Sequence, residues 1–345
     1  MSIIKFFPRN KYKLFQWFMF VIFIILAFAG GWLFNYFSNE SSPLYLKPVR
    51  QGGYNLINPL LFYDAPVDIE SVEYGTLKEK LSKFIGSKVS DGKLNKVSLY
   101  FRDLSKLGWV NINPNERYYP ASLMKVPTMI SILRYAEFHP EILSKKIFYD
   151  GSFDYNAVET IKPLKQIQSG NYYTVNELIL YMIEYSDNNA AKLIHEQISE
   201  EFFQEVFTDL GISIPPNSFN TKNFDYLTVK DYASFFRVLY NSTYLSREMS
   251  EKALNLLLIG DFPQGIEAGV PLDVKTAQKF GESTIVDKNN KIITLELHDC
   301  GIVYYPNRPY LLCVMTSGLN FIDSENMISS LSSIIYNEIN KNKIP

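Results

Sequence analysis

The sequence predicts an α+β fold, in which strands from both ends of the chain form one antiparallel sheet packed against a helical middle region. Three observations predict it. Strand-like runs come early, at residues 97–101 and 109–112. Capped segments of helical period fill the middle, and strands return after residue 274, before a closing helix. The chain has 345 residues, of which 47% are hydrophobic and 15% aromatic, enough to bury a sizeable core. Its net charge is −2, with no basic tract beyond the N-terminus, so no nucleic-acid partner is expected.

Taken in order, residues 1–13 carry Lys5, Arg9, Lys11 and Lys13 and no acid, and residues 14–39 carry no charge at all. A bilayer needs about 20 such residues. The reading is a cytoplasmic tail over 1–13 and a transmembrane anchor over 14–37, single-pass, with the flanking positive charge inside and the rest of the chain extracytoplasmic. A buried core helix is the plain alternative, but such helices usually carry a polar stripe. A cleaved signal peptide is another, because Ala27-Phe28-Ala29 has the small-x-small form, although the apolar run continues through residues 32–37. Residues 38–70 read as a linker, with the apolar run 58–63 suited to docking on a domain over 71–345.

Within that domain, Leu77, Leu81, Phe84 and Ile85 give residues 71–85 an amphipathic helical period. Two strands follow, and a loop enters an apolar helix at Ser122. After a long mixed loop, Thr174-Val175-Asn176-Glu177 opens a helix with a capping box. Its apolar face is Leu178, Ile179, Met182 and Ile183, and it ends at Ser186-Asp187-Asn188. Further helices are expected at 190–198 and, behind Thr228-Val229-Lys230-Asp231, at 232–240. Strands are expected at 274–281, 291–297, 300–305 and 310–315, the last two joined as a hairpin by Pro306-Asn307-Arg308-Pro309. A helix over 324–339 closes the chain.

Ser122 and Lys125 stand three residues apart at the start of a helix, hence on one face. The lysine can take the hydroxyl proton, and the helix N-terminus offers free N–H groups to a developing anion. The three histidines (His139, His195 and His298) and two cysteines (Cys300 and Cys313) show no metal-ligand spacing, so neither metal nor cofactor is expected. So few histidines also argue against a Ser-His-Asp hydrolase, and His298 reads as structural.

Ser122-x-x-Lys125, then Ser186-Asp187-Asn188 at a helix end, then Lys279-Phe280-Gly281 on a strand resemble the penicillin-recognising serine hydrolases, whose motifs are S-x-x-K, S-D-N and K-T-G. The text around Ser186, T-V-x-E-L-x-x-x-M-I-x-x-S-D-N-x-A, resembles the class A β-lactamase branch, and the likeness runs over roughly residues 70–345. It implies a β-lactamase/transpeptidase-like fold and an acyl-enzyme mechanism. Ser122 would attack an amide carbonyl, Lys125 would accept its proton, and Ser186 would relay a proton to the leaving nitrogen. Asn188 would hold the substrate amide and Lys125, and Lys279 would face the substrate carboxylate. Gly281 would let ligand approach the strand, and the backbone N–H groups of Ser122 and Glu282 would form the oxyanion hole, worth about 2.7–4 kcal/mol per donor. Asp187 reads as a structural helix-end carboxylate.

Two positions depart from the pattern. Phe280 stands where a hydroxyl residue is expected; Lys275-Thr276-Ala277 offers a K-T pair but no glycine. No glutamate lies between Glu205 and Glu248, where class A enzymes carry their deacylating base; Asp225 is a remote substitute, better read as a loop cap. Cys300 and Cys313 lie on facing strands, and on one face if Tyr305 pairs with Tyr310, so a disulfide and two separate thiols both remain open. The functional expectation is a membrane-anchored serine hydrolase acting on β-lactams. The alternatives are a D,D-peptidase acting on a peptidoglycan peptide, and a protein that binds cell wall or β-lactam without turnover.

Overall fold

The computed structural model describes residues 16–23, 55–57, 72–106, 108–215, 225–289 and 291–341. The chain divides into two units, Met1–Val49 and Arg50–Pro345. In the first, residues 16–23 form helix α1, on which Trp17, Phe18, Phe20 and Phe23 are exposed. The rest of the expected span 14–37 lies outside the described residues. No helix among the described residues is long and apolar enough to cross a membrane.

The second unit is α+β, as expected. Helix α2 (Gly75–Ser90) precedes strands β1 (Leu94–Asp103), β2 (Trp109–Ile112) and β3 (Arg117–Tyr118). A single 3-10 turn, Ala121–Met124, then leads into α3 (Lys125–Phe138). Strands β4 (Lys146–Tyr149) and β5 (Asn171–Thr174) flank the long loop. Helices α4 (Val175–Glu184), α5 (Asn188–His195) and α6 (Glu200–Asp209), strand β6 (Leu227–Thr228), and helices α7 (Val229–Asn241) and α8 (Arg247–Leu257) complete the middle. Strands β7 (Thr276–Val286), β8 (Ile292–Val303) and β9 (Tyr310–Gly318) and helix α9 (Phe321–Lys341) end it. The main sheet is antiparallel, in the order β2-β1-β9-β8-β7, so an early strand does pair with a late one.

One apolar cluster lies between the sheet and the middle helices, and a second under α2 and α9 on the other face. Helix α3 runs through the first cluster with every residue from Lys125 to Leu133 buried. It tolerates polar residues there because Thr128 Oγ1 and Ser131 Oγ donate to the carbonyls of Met124 (2.8 Å) and Pro127 (2.9 Å), one turn back. Pro127 sits in the first turn, where its missing N–H costs nothing.

Several expectations are corrected. The runs 291–297 and 300–305 are one strand, β8, because the intervening His298 and Asp299 are buried ladder residues and not a turn. Val303, not Tyr305, pairs with Tyr310, which sets Cys300 opposite Cys313, and the two form a disulfide. The turn is wider because Arg308 is drawn into the sheet: its Nε donates to buried Asp103 at 2.8 Å, and Tyr74 Oη donates to the same carboxylate at 2.7 Å. Helices α6 and α8 and the hairpin β4–β5 had no counterpart in the sequence reading.

The docking run 58–63 lies outside the described residues, but residues 55–57 dock on α8. The N–H groups of Asn55, Leu56 and Ile57 all donate to the Glu251 carboxylate at 2.9–3.2 Å, and Leu56 and Ile57 are buried. Hydrogen bonds to a charged group contribute about 1.5–3 kcal/mol each. Glu251→Ala is therefore expected to raise hydrogen exchange at residues 55–57 by at least about tenfold while leaving β7 to β9 protected. Unchanged exchange there would show that Leu56 and Ile57 hold the segment by burial alone.

Candidate active site

Ser122 lies in the 3-10 turn, and Ala121 just before it is held at φ 50°, a left-handed conformation that a non-glycine residue adopts only when its surroundings require it. That turn rests against the edge strand β7. A Cβ on Gly281 would come within 2.7 Å of the Pro120 carbonyl and 2.9 Å of the Leu123 nitrogen, so only glycine lets the strand lie this close. Behind the turn, Glu296 Oε2 accepts from Tyr119 N (2.9 Å), and His298 Nε2 bonds the Tyr119 carbonyl (3.1 Å). His298 is fully buried and also accepts from Thr316 N, which fits its structural reading.

Four of the candidate side chains meet. Lys125 Nζ lies 2.8 Å from Ser122 Oγ and 2.9 Å from Ser186 Oγ, and donates to the Ser186 carbonyl at 2.6 Å. Lys279 Nζ comes within 3.0 Å of the same Ser186 Oγ. Two amines thus converge on one hydroxyl. Ser186 reaches both because its backbone is left-handed (φ 57°), which stops α4 and turns the side chain inward. Burial pushes the Lys125 amine down to about 8, opposed by the charges of Glu159, Asp187 and Glu282. Burial, and Lys125 beside it, hold Lys279 well below the ordinary lysine range. Removing one proton from this buried pair relieves both costs, so the site can present a neutral amine beside the Ser122 hydroxyl near neutral pH.

One of the other candidates, Asn188, departs from what the resemblance implies. Asn188 does not bond Lys125; its Nδ2 donates to Glu159 Oε1 at 2.7 Å. Glu159 sits in the long loop, where no spacing or period marked it, and the sequence reading missed it. Glu282 lies on β7 directly after Gly281, so its backbone flanks the Ser122 turn, and its buried carboxylate accepts from Thr160 N and Ile161 N. Phe280 points to the second apolar cluster, stacks on Phe262 at 4.4 Å, and lies under Lys279 Nζ at 4.1 Å from its ring centroid. The aromatic ring therefore supplies packing where the motif has a hydroxyl. Thr276 merely begins β7, and Lys275 offers its carbonyl to Tyr304 N.

Asp187 is fully buried and bonds neither amine. Its Oδ1 accepts from Asn189 N (2.8 Å), Ala190 N (3.3 Å) and Asn156 Nδ2 (2.8 Å), and its Oδ2 from Ile167 N (2.7 Å). It caps α5 and ties the long loop to the helix pair. Asp187→Ala is expected to destabilise the fold by roughly 2–4 kcal/mol, read as a lower denaturant midpoint. An unchanged midpoint would show that water or a neighbour takes over those donors. Asp225 is ion-paired with Lys96 at 2.6 Å, away from the amine pair. Among the described residues no group of His, Cys, Asp and Glu could hold a metal.

A family model described as the beta-lactamase enzyme family matches residues 76–339. No curated protein matches the sequence significantly. Among solved structures, a point mutant of PBP-A, as an acyl-enzyme complex with penicillin G, is similar at TM-score 0.65 and 18% identity, covering 77% of this chain and 97% of that one. A class A beta-lactamase from Mycobacterium abscessus is similar at TM-score 0.64 and 20% identity, covering 75% and 99%. A representative of class A beta-lactamase from Bacteroides cellulosilyticus DSM 14838 is similar at TM-score 0.65 and 19% identity, covering 77% and 99%. At these identities the likenesses speak for the fold.

Proposed function

The chain belongs to the beta-lactamase enzyme family, among the penicillin-recognising serine hydrolases, and from that premise we propose that β-lactams acylate it at Ser122 and that it hydrolyses the lactam amide slowly. The observation that carries this reading is the Lys125 amine, 2.8 Å from Ser122 Oγ and with its pKa pushed down to about 8. In acylation, Ser122 Oγ gives its proton to neutral Lys125 and attacks the lactam carbonyl carbon. The N–H groups of Ser122 and Glu282 take the oxyanion. As the C–N bond breaks, Ser186 protonates the leaving nitrogen and is reprotonated from the amine pair it touches. Lys279 offers positive charge to the substrate carboxylate. Intact-mass measurement after penicillin exposure, followed in time, tests this: one adduct that forms and then decays is expected, and no adduct would overturn it.

The same atoms serve a D,D-peptidase acting on a peptidoglycan peptide. One observation favours this second reading: no carboxylate between Glu205 and Glu248 is available as a base in the described residues, which suits an enzyme whose β-lactam ester decays slowly, as in a penicillin-binding enzyme. Release of D-alanine from a stem peptide would distinguish it.

The reading also places the enzyme at the cell membrane, anchored by residues 14–37 with the C-terminal unit outside. The uncharged stretch behind four basic residues supports this, and a buried disulfide fits an oxidising compartment. A reporter fused after Pro345 that is active only outside the cytoplasm should be active. A mature chain starting at Gly30 would instead show cleavage after Ala27-Phe28-Ala29.

A further inference from the structure

Asn188, the side chain expected to receive a substrate amide, is already engaged. Its Nδ2 donates to Glu159 Oε1 at 2.7 Å, and the next two residues turn their N–H groups onto the edge strand, Thr160 N and Ile161 N donating to Glu282 Oε1 at 2.9 and 2.8 Å. Residues 159–161 therefore bridge from the Ser186-Asp187-Asn188 corner to β7. The bridge is supported at both ends. Lys162 Nζ donates to the carbonyls of Asn156 (2.9 Å) and Ala157, and buried Asn156 bonds both Asp187 Oδ1 and Asn188 N at 2.8 Å. Ile161 packs against the apolar cluster that holds Phe280.

A chain laid along a sheet edge sits about 4.7–4.9 Å from it. Residues 159–161 and the Glu282 carboxylate bond one another across the space between Asn188 and that edge. A substrate whose carbonyl is attacked at Ser122, and which carries an amide substituent beside that carbonyl, must place the substituent between Asn188 and β7. Glu159 holds one Asn188 N–H in a charge-assisted bond, among the stronger kind, so the substituent must compete with residues 159–161 for the space beside Asn188.

We propose that Glu159 is a specificity-determining residue: with Thr160 and Ile161 it fills the slot between Asn188 and Glu282 and so selects acyl donors with a small substituent beside the scissile carbonyl over those with a bulky acylamido group. This rests on acylation at Ser122. The selected class is β-lactams with small or absent side chains, and the disfavoured class is penicillins with arylacetamido groups.

The test measures second-order acylation rates of the full chain with two probes, penicillin G and the penicillin nucleus lacking its acyl side chain (aminopenicillanic acid). Glu159→Ala frees Asn188 and should raise the penicillin G rate about tenfold or more relative to the nucleus; losing the Glu159 charge also lowers the Lys125 amine, but that moves both probes alike, so the ratio of the two rates is the readout. Glu159→Gln keeps an acceptor oxygen for Asn188 and should retain most of the wild-type selectivity. Thr160→Pro removes one N–H donor to Glu282 and should loosen the slot in the same direction, without touching the Glu159 side chain. An unchanged ratio in Glu159→Ala would overturn the proposal while leaving acylation intact. Failure of both probes to acylate wild type and Glu159→Ala alike would overturn the acyl-transfer reading, and this inference with it.

Discussion

Penicillin is expected to add its mass to the wild-type protein and not to Ser122→Ala, and Lys125→Ala is expected to slow acylation by about 10²–10⁴-fold. The first expectation follows from geometry. Among the described residues, Ser122 and Ser186 are the hydroxyls bonded to Lys125, and Ser122 lies in the turn against β7, where the strand backbone comes closest. Replacing it by Ala removes one half-buried oxygen and no packing, so the fold should be intact and only the adduct lost. In the proposed reaction Lys125 takes the proton that makes Ser122 Oγ a nucleophile. Its removal also takes away an amine whose charge is costly to bury, which offsets part of the cavity left behind, so unfolding is not expected. The working form is the neutral amine. With Lys125 pushed down to about 8, acylation should rise about tenfold per pH unit below that value and level off above it. A profile flat from about pH 6 to 9 would exclude Lys125 as the base, and labelling that persists in Ser122→Ala would remove the nucleophile assignment.

What the sequence revealed and what it hid divide along a physical line. Ser122, Lys125, Ser186 and Gly281 were legible because each is fixed by local structure: a helix start, an i,i+3 pair, a helix stop and a strand that must pass close to a turn. The capping boxes at Thr174 and Thr228 were legible for the same reason, since the bonds that make them span three residues. The single strand β8 was not, because buried His298 and Asp299 break its apolar run and their partners, Tyr119 and Ile266, are far away in sequence. The hairpin register differs by two residues from a Tyr305–Tyr310 pairing because Arg308 belongs to a buried network with Asp103 and Tyr74, about two hundred residues earlier. Glu159 was invisible: a carboxylate in an aperiodic loop gains meaning only when folding brings Asn188 to it. Local physics marked the side chains that meet at the candidate site, and long-range contacts set what surrounds them.

Deacylation is where the largest departure from an efficient β-lactamase is expected. The ester at Ser122 must be attacked by water, and a general base contributes about 10²–10⁴-fold to such a step. The segment after Ser186-Asp187-Asn188 offers no glutamate between Glu205 and Glu248, and its aspartates are committed elsewhere. Asp209 accepts from Tyr244 Oη at 2.9 Å, Asp225 pairs with Lys96 at 2.6 Å, and Asp231 closes the capping box at Thr228. Phe280, stacked on Phe262, gives no hydroxyl to the substrate carboxylate, which should raise KM. Acylation, in contrast, has its amine, its relay hydroxyl and its edge strand in place. Burst kinetics with a chromogenic cephalosporin should therefore show one fast equivalent per protein followed by a slow phase. Steady turnover on the order of 10² per second with no burst would place a working base at the ester. Lys125, neutral above about pH 8 and 2.8 Å from Ser122 Oγ, would then be the group acting twice, and the slow phase of Lys125→Ala, acylated by long incubation, would fall further still.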